Sequence, residues 1–338
     1  MRKGWLRAAA LCGTALLARA ALHSYRSFEL RGKSVLIVGG SRGLGLELAR
    51  EFARRGARLT ICGRDSRTLR RAEEELRRAG AEVLALPCDA TDRDQVEDLV
   101  RLARERWFRI DVLVNNLGMI QVGPMESMRL EDYAESMDSH FWAPLYATLA
   151  VLPEMRARGG GRIVNIASIG GKISVPHLLP YSAGKFALVG LSEGLHAELA
   201  RDGIAVTTVC PGLMRTGSPR NADFKGRHRA EYAWFSISDS LPLISMNAER
   251  AARQIVTACE RGDAECILSL PAAVATRVHG LFPGLVSELL AAVNCLLPSA
   301  DGADPTRYKG RESVSSWSPS LLTSLTEQAA ARNNELNA

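Results

Sequence analysis

Tyr181 and Lys185 stand four residues apart at the start of a segment with helical patterning, so their side chains share one face. A free phenol has a pKa of about 10 and is a poor acid or base near neutrality. A neighbouring ammonium favours the phenolate, and a phenol tuned in this way can give or take a proton. Ser168, thirteen residues upstream at the end of an apolar run, could hydrogen-bond a substrate oxygen and steady charge developing on it. Tyr and Lys at this spacing also occur on solvent-facing helices, so the pair takes its meaning from the rest of the chain.

A second group of residues is suited to binding. Gly39-Gly40-Ser41-Arg42-Gly43-Leu44-Gly45 lies where the apolar run 35–38 hands over to helical spacing at 44–55. Glycines there let the backbone turn sharply and approach a pyrophosphate held by helix N-terminal amides. A tight turn without a ligand is the alternative. NAD binding usually needs a carboxylate at the end of the second strand. That position is Gly63, followed by Arg64, and Arg42 lies in the glycine loop. Two guanidinium groups suit a 2′-phosphate, so NADP(H) is the expected cofactor, although Asp65 could neutralise Arg64.

The elements that must position these groups alternate. Strands are expected at 35–38, 57–62, 82–86, 111–114, 162–167 and 204–210, and helices at 44–55, 65–79, 92–107, 131–158 and 182–201. Such alternation means βαβ units and an α/β fold, a doubly wound parallel sheet of Rossmann type. The organisation expected is an apolar and basic N-terminal segment (1–30), a catalytic domain (31–270), and a helical extension with a polar tail (271–338).

With the glycine spacing G-x-x-x-G-x-G, the chain resembles the classical short-chain dehydrogenase/reductase family over roughly 31–270. Asp89 follows the third strand, where the family sets an aspartate against the adenine. Asn115-Asn116-Leu117-Gly118 is similar to its N-N-A-G segment. Ser168, Tyr181 and Lys185 match its catalytic Ser and Y-x-x-x-K, and 211–216, from Pro211 and Gly212 to Thr216, resemble its P-G-x-x-x-T. The resemblance implies hydride transfer between nicotinamide and a carbonyl or alcohol, with Tyr181 handling the proton and Lys185 also holding the nicotinamide ribose. It implies a homodimer or homotetramer paired through the helices after Glu131 and Ser182. Val38 and Leu117 depart from the family pattern. So does His140, which stands where many members place an asparagine that kinks its helix. A backbone carbonyl could still serve the proton relay there. His140 itself could titrate near neutral pH and join it, or be structural.

Of the net charge of +6, five units fall in residues 1–31, where six basic side chains face Glu29 alone. A nucleic-acid protein would spread its basic patch over the folded domain, so no nucleic-acid partner is expected. Arg2, Lys3 and Arg7 precede the apolar stretch 8–22, short of the about 20 apolar residues a membrane span needs. An uncleaved anchor or interfacial helix is favoured, with a signal peptide and a plain surface helix as alternatives. Seven cysteines without a C-x-x-C suggest reduced thiols in a cytoplasmic compartment and no metal site.

The segment 215–243 holds Phe224, Tyr232, Trp234, Phe235 and Ile237, which could form an apolar lid or pack as core. Its stretch 221–231 reads as solvent-facing. Residues 271–298 are apolar at helical spacing around Gly280 and Pro283, and could pack on the core, pair with another subunit or dip into lipid. A lipophilic substrate of ketoacyl, steroid, retinoid or sphingoid type is therefore expected. The last forty residues read as loosely held. A cofactor-binding scaffold that has lost turnover is the rival reading.

Overall fold

The computed structural model describes residues 27–242, 244–300 and 304–336. The N-terminal segment considered above as an anchor lies almost wholly outside them. Twelve strands occur among the described residues: β1 (Ser34–Val38), β2 (Arg58–Gly63), β3 (Val83–Pro87), β4 (Val112–Asn115), β5 (Gln121–Val122), β6 (Gly161–Ile166), β7 (Ile204–Pro211), β8 (Leu213–Arg215), β9 (Asp223–Phe224), β10 (Ser245–Asn247), β11 (Glu265–Leu268) and β12 (Tyr308–Lys309). Seven form one parallel sheet in the order β11-β7-β6-β4-β1-β2-β3. The chain winds outward from β1 to β3 and then crosses back to β4. The crevice between β1 and β4 is therefore the switch point where such sheets bind ligands.

β1 shows why the sheet is central: all five of its residues are buried. Val35 and Ile37 enter one core with helices α1 (Gly43–Arg54), α2 (Ser66–Arg78) and α8 (Ala248–Arg261). Leu36 and Val38 enter the opposite core with α3 (Arg93–Trp107) and α5 (Ala143–Ala157). A strand buried on both faces reads as a continuous apolar run, which is how 35–38 reads. α6 (Leu179–Leu199) packs against β7 on the α3–α5 side.

The helix expected at 131–158 is not uniform. α4 (Leu130–Met137) passes through a π turn at Asp138–Trp142, where Ala143 N–H reaches back to Asp138 O, before α5 begins. Pro144 supplies the cause. It has no N–H to give the carbonyl four residues back, which belongs to His140.

Two expectations fail. The stretch 221–231 is largely buried: Lys225 pairs with Asp132 at 2.5 Å, and Glu231 with His177 at 2.8 Å. Charge that looks solvated in sequence is internal here because each group has a partner. The tail is also held. α11 (Ser324–Arg332) buries Ala329 and Ala330, and Asn333 and Glu335 beyond it are 1% and 4% exposed. Of the aromatics at 215–243, Phe224, Tyr232 and Phe235 are core on and beside α7 (His228–Ser240), as their packing with Val122 and Leu178 requires. α9 (Leu270–Leu281) and α10 (Pro283–Asn294) form the apolar helical extension, divided at Pro283.

Candidate active site

All the site residues expected from the sequence lie at or after the carboxyl ends of parallel strands, apart from His140 on its π turn and Tyr181 and Lys185 on α6. The loop between β1 and α1 needs its glycines. A Cβ on Gly45 would stand 1.9 Å from Gly39 O, so loop and helix could not approach as they do. Asn116 Nδ2 donates to Gly39 O at 2.9 Å and ties this loop to the end of β4. Arg42, at the N-cap of α1, offers no side-chain cap, which suits a first turn that meets a phosphate. Arg64 stands exposed just after β2. Asp65 does not neutralise it by default. Its carboxylate accepts the Arg67 and Thr68 amides as the cap of α2, and the Thr68 amide above all lowers its pKa. Asp89 follows β3 and accepts from Thr91 N–H at 3.1 Å and Thr91 Oγ1 at 2.8 Å. Pro211 ends β7, Gly212 follows, and Thr216 is buried beyond β8. These residues gather at the β1–β4 switch point, where sheets of this kind hold a dinucleotide.

The reacting groups gather at the other end of this crevice. Ser168 follows β6; its Oγ accepts Gly170 N–H at 3.0 Å, and its own proton goes toward the Tyr181 oxygen, a hydrogen bond that by itself lowers the phenol's pKa. Above Gly170, the position of a Cβ would be 3.0 Å from the Tyr181 ring and 3.4 Å from Ser168 Oγ, so phenol and hydroxyl are neighbours. Lys185 Nζ lies 5.8 Å from the Tyr181 ring centroid and donates to Ile166 O at 2.8 Å and Leu117 O at 3.4 Å. The departure at Leu117 thus leaves a backbone carbonyl on the lysine.

Burial governs the protonation states. It raises the Tyr181 phenol above its usual value, against the opposing Ser168 hydrogen bond. It lowers Lys185 to about 7. The lysine effect expected from spacing alone is thus outweighed in the protein by itself, where Tyr181 holds its proton.

His140 is fully buried, and burial followed by the charge of Lys185 holds its pKa well below the usual value. Of the two readings left open for His140, titration near neutrality therefore falls: the ring stays neutral. Its tautomer follows from hydrogen-bond arithmetic. Ser136 Oγ donates its single proton to Pro180 O at 2.6 Å and lies 3.1 Å from His140 Nδ1. Nδ1 must then carry the proton, and Nε2 is a bare acceptor without a partner. The site of a Cβ on Gly118 is 3.1 Å from that Nε2 and 3.5 Å from Lys185 Nζ, so both nitrogens border one small space.

Two site residues were missed by sequence reasoning. Ser136 had a signal, its i,i+4 spacing to His140. Asp239 on α7 had none. Its buried carboxyl is pushed up to about 8 by desolvation, with one oxygen unpartnered, and it acts on Tyr181 electrostatically.

The doubly wound sheet, the glycine loop and this Ser-Tyr-Lys cluster are those of an NAD(P)-type oxidoreductase fold, and residues 33–224 match the short chain dehydrogenase family model. The chain belongs to that family. It is 41% identical over 183 residues to a putative ketoacyl reductase of Streptomyces coelicolor, covering 54% of this chain and 70% of that one. It is 31% identical over 292 residues to dehydrogenase/reductase SDR family member 7B of Danio rerio, covering 84% and 93%. Among solved structures, a variant of actinorhodin polyketide ketoreductase with NADPH superposes with a TM-score of 0.63 at 32% identity, over 72% of this chain and 97% of that one.

Proposed function

We propose that this oxidoreductase uses NADP(H) to interconvert a carbonyl and an alcohol on a lipophilic substrate. The observation that carries the reading is the convergence of Ser168, Tyr181 and Lys185 at the end of a crevice flanked by Arg42 and Arg64. The glycine loop, Asp89, Asn116, Gly118 and Thr216 would line the cofactor, which supplies the hydride when bound. The Tyr181 phenol, kept protonated by burial, gives its proton to the substrate oxygen in the reductive direction. The Ser168 hydroxyl, turned from Tyr181 to the substrate, holds that oxygen. Lys185 replenishes the proton, and the bare Nε2 of His140 accepts from the lysine side, directly or through one water in the space beside Gly118.

The substrate class is supported by a cleft of about 550 Å³ between the loop leading into α6 and the end of α10. Met125, Val175, Leu179, Leu290 and Leu297 give it an apolar wall, with Glu126, His177 and Asn294 among its polar lining. Next to it, Leu281, Phe282, Leu285 and Leu289 are more than half exposed. Among residues 270–296 only Arg277 and Glu288 carry full charge, which favours a lipid surface as the neighbour of this face. Exposed Leu149 on α5 and Phe186 on α6 favour pairing of two copies through those helices.

The test is NADPH oxidation with a panel of apolar ketones and ketoacyl thioesters. Tyr181→Phe is expected to lose roughly 10²- to 10⁴-fold in kcat, while His140→Asn keeps activity and the shape of the pH profile. Tight NADPH binding with no turnover across the panel would instead favour a scaffold.

A further inference from the structure

The tail meets the glycine loop. After α11, Asn334 adopts a left-handed conformation (φ +60°), and Glu335 N–H returns to Ala330 O at 3.0 Å, which ends the helix in a Schellman-type turn. That turn sets three consecutive residues against the phosphate end of the crevice. Asn333 O accepts Gly43 N–H at 2.9 Å, and Asn333 Nδ2 donates to Thr216 O at 3.2 Å. Asn334 Nδ2 donates to Ser41 O at 3.0 Å and Thr68 O at 2.9 Å. The Glu335 carboxylate accepts from Asn221 Nδ2 at 2.5 Å and lies 3.6 Å from the Arg42 guanidinium. Its other oxygen is 2.8 Å from where a Cβ on Gly43 would stand. Below them Gly217 (φ +88°) touches Ala330 so closely that a Cβ there would be 2.3 Å from Ala330 Cα.

We propose that residues 333–335 are a latch on the dinucleotide crevice, with Glu335 occupying Arg42 and the α1 N-terminus in competition with the cofactor's phosphates. This rests on the NADP(H) reading given above. The latch uses a first-turn amide and the guanidinium that an anionic ligand at this helix N-terminus needs. The carboxylate is 4% exposed, so a phosphate arriving beside it meets an anion with little water between to screen the repulsion. Because Arg42 is the group expected to recognise a 2′-phosphate, Glu335 also sets how strongly the protein prefers NADPH to NADH.

The test compares the full chain, Glu335→Gln and a chain ending at Arg332 by fluorescence titration with NADPH and NADH. Amide hydrogen exchange of residues 324–336 is measured in parallel. Glu335→Gln keeps the size of the side chain and an acceptor for Asn221. Both variants are expected to bind NADPH roughly tenfold more tightly, with a smaller gain for NADH. In the full chain, NADPH is expected to increase exchange in the tail. Weaker NADPH binding in both variants, with the tail more protected when cofactor is present, would overturn the latch and make the segment a strap over bound cofactor. Unchanged affinities would also overturn it. Failure of all three forms to bind NADPH would remove the cofactor reading, and the latch with it.

Discussion

Lys185 is the residue on which chemistry and stability meet. Its pKa in the folded protein is about 7 against an ordinary 10.5. Below pH 7 the ammonium is charged in both states, and the fold carries the whole cost of burying it. Between pH 7 and 10.5 the unfolded chain binds more protons than the folded one, so this contribution to stability rises with pH. Lys185→Met should therefore raise Tm most at pH 6 to 7, and the gain should shrink toward pH 10; thermal melts across that range check it. A gain independent of pH would mean that the lysine is not desolvated as described. At this scale the sequence was partly legible. Ser168, Tyr181 and Lys185 could be picked out by spacing because a helix and a strand end place them. The state of His140 could not, since it depends on a proton that Ser136 spends on Pro180 O, a carbonyl brought in by another helix.

The elements differ in how much of their cause lies nearby in the chain. β1 and α1 were readable because their apolar periods match the two faces they bury. The π turn was not, because it leaves the period almost unchanged while shifting the register of α5 by one residue. Pro144 is its local cause, and Pro144→Ala would give the His140 carbonyl an N–H and favour a regular helix. The expected result is a fall in kcat on the order of tenfold to a hundredfold, with NADPH affinity unchanged. Steady-state kinetics beside a binding titration separates the two. α11 was illegible for a different reason. It buries alanines rather than large side chains, and its remaining hold comes from polar partners far away in sequence, such as Glu327 with Arg220 across 107 positions and Asn334 with Ser41 O across 293.

Across the whole molecule, the cofactor-binding residues gather at the middle of the sheet, and the apolar helix α9 follows its edge strand β11. The cofactor crevice opens at the β1–β4 switch, and the end of α10 borders the cleft proposed for substrate. No helix among the described residues is long and apolar enough to cross a membrane. Any lipid contact by α9–α10 is therefore shallow. Liposome flotation should recover the wild-type chain, and Leu285→Lys with Leu289→Lys should lower the recovered fraction at least several-fold, at about 0.8 kcal/mol per CH₂ withdrawn from lipid. Equal recovery would assign membrane contact to residues outside this face. The separation of Ser41 from Asn334 has a consequence in time as well. At about 5–20 residues per second, the ribosome delivers Asn334 roughly 15–60 s after Ser41. For that interval the nascent glycine loop has no tail to meet, and a dinucleotide reaching it then arrives first.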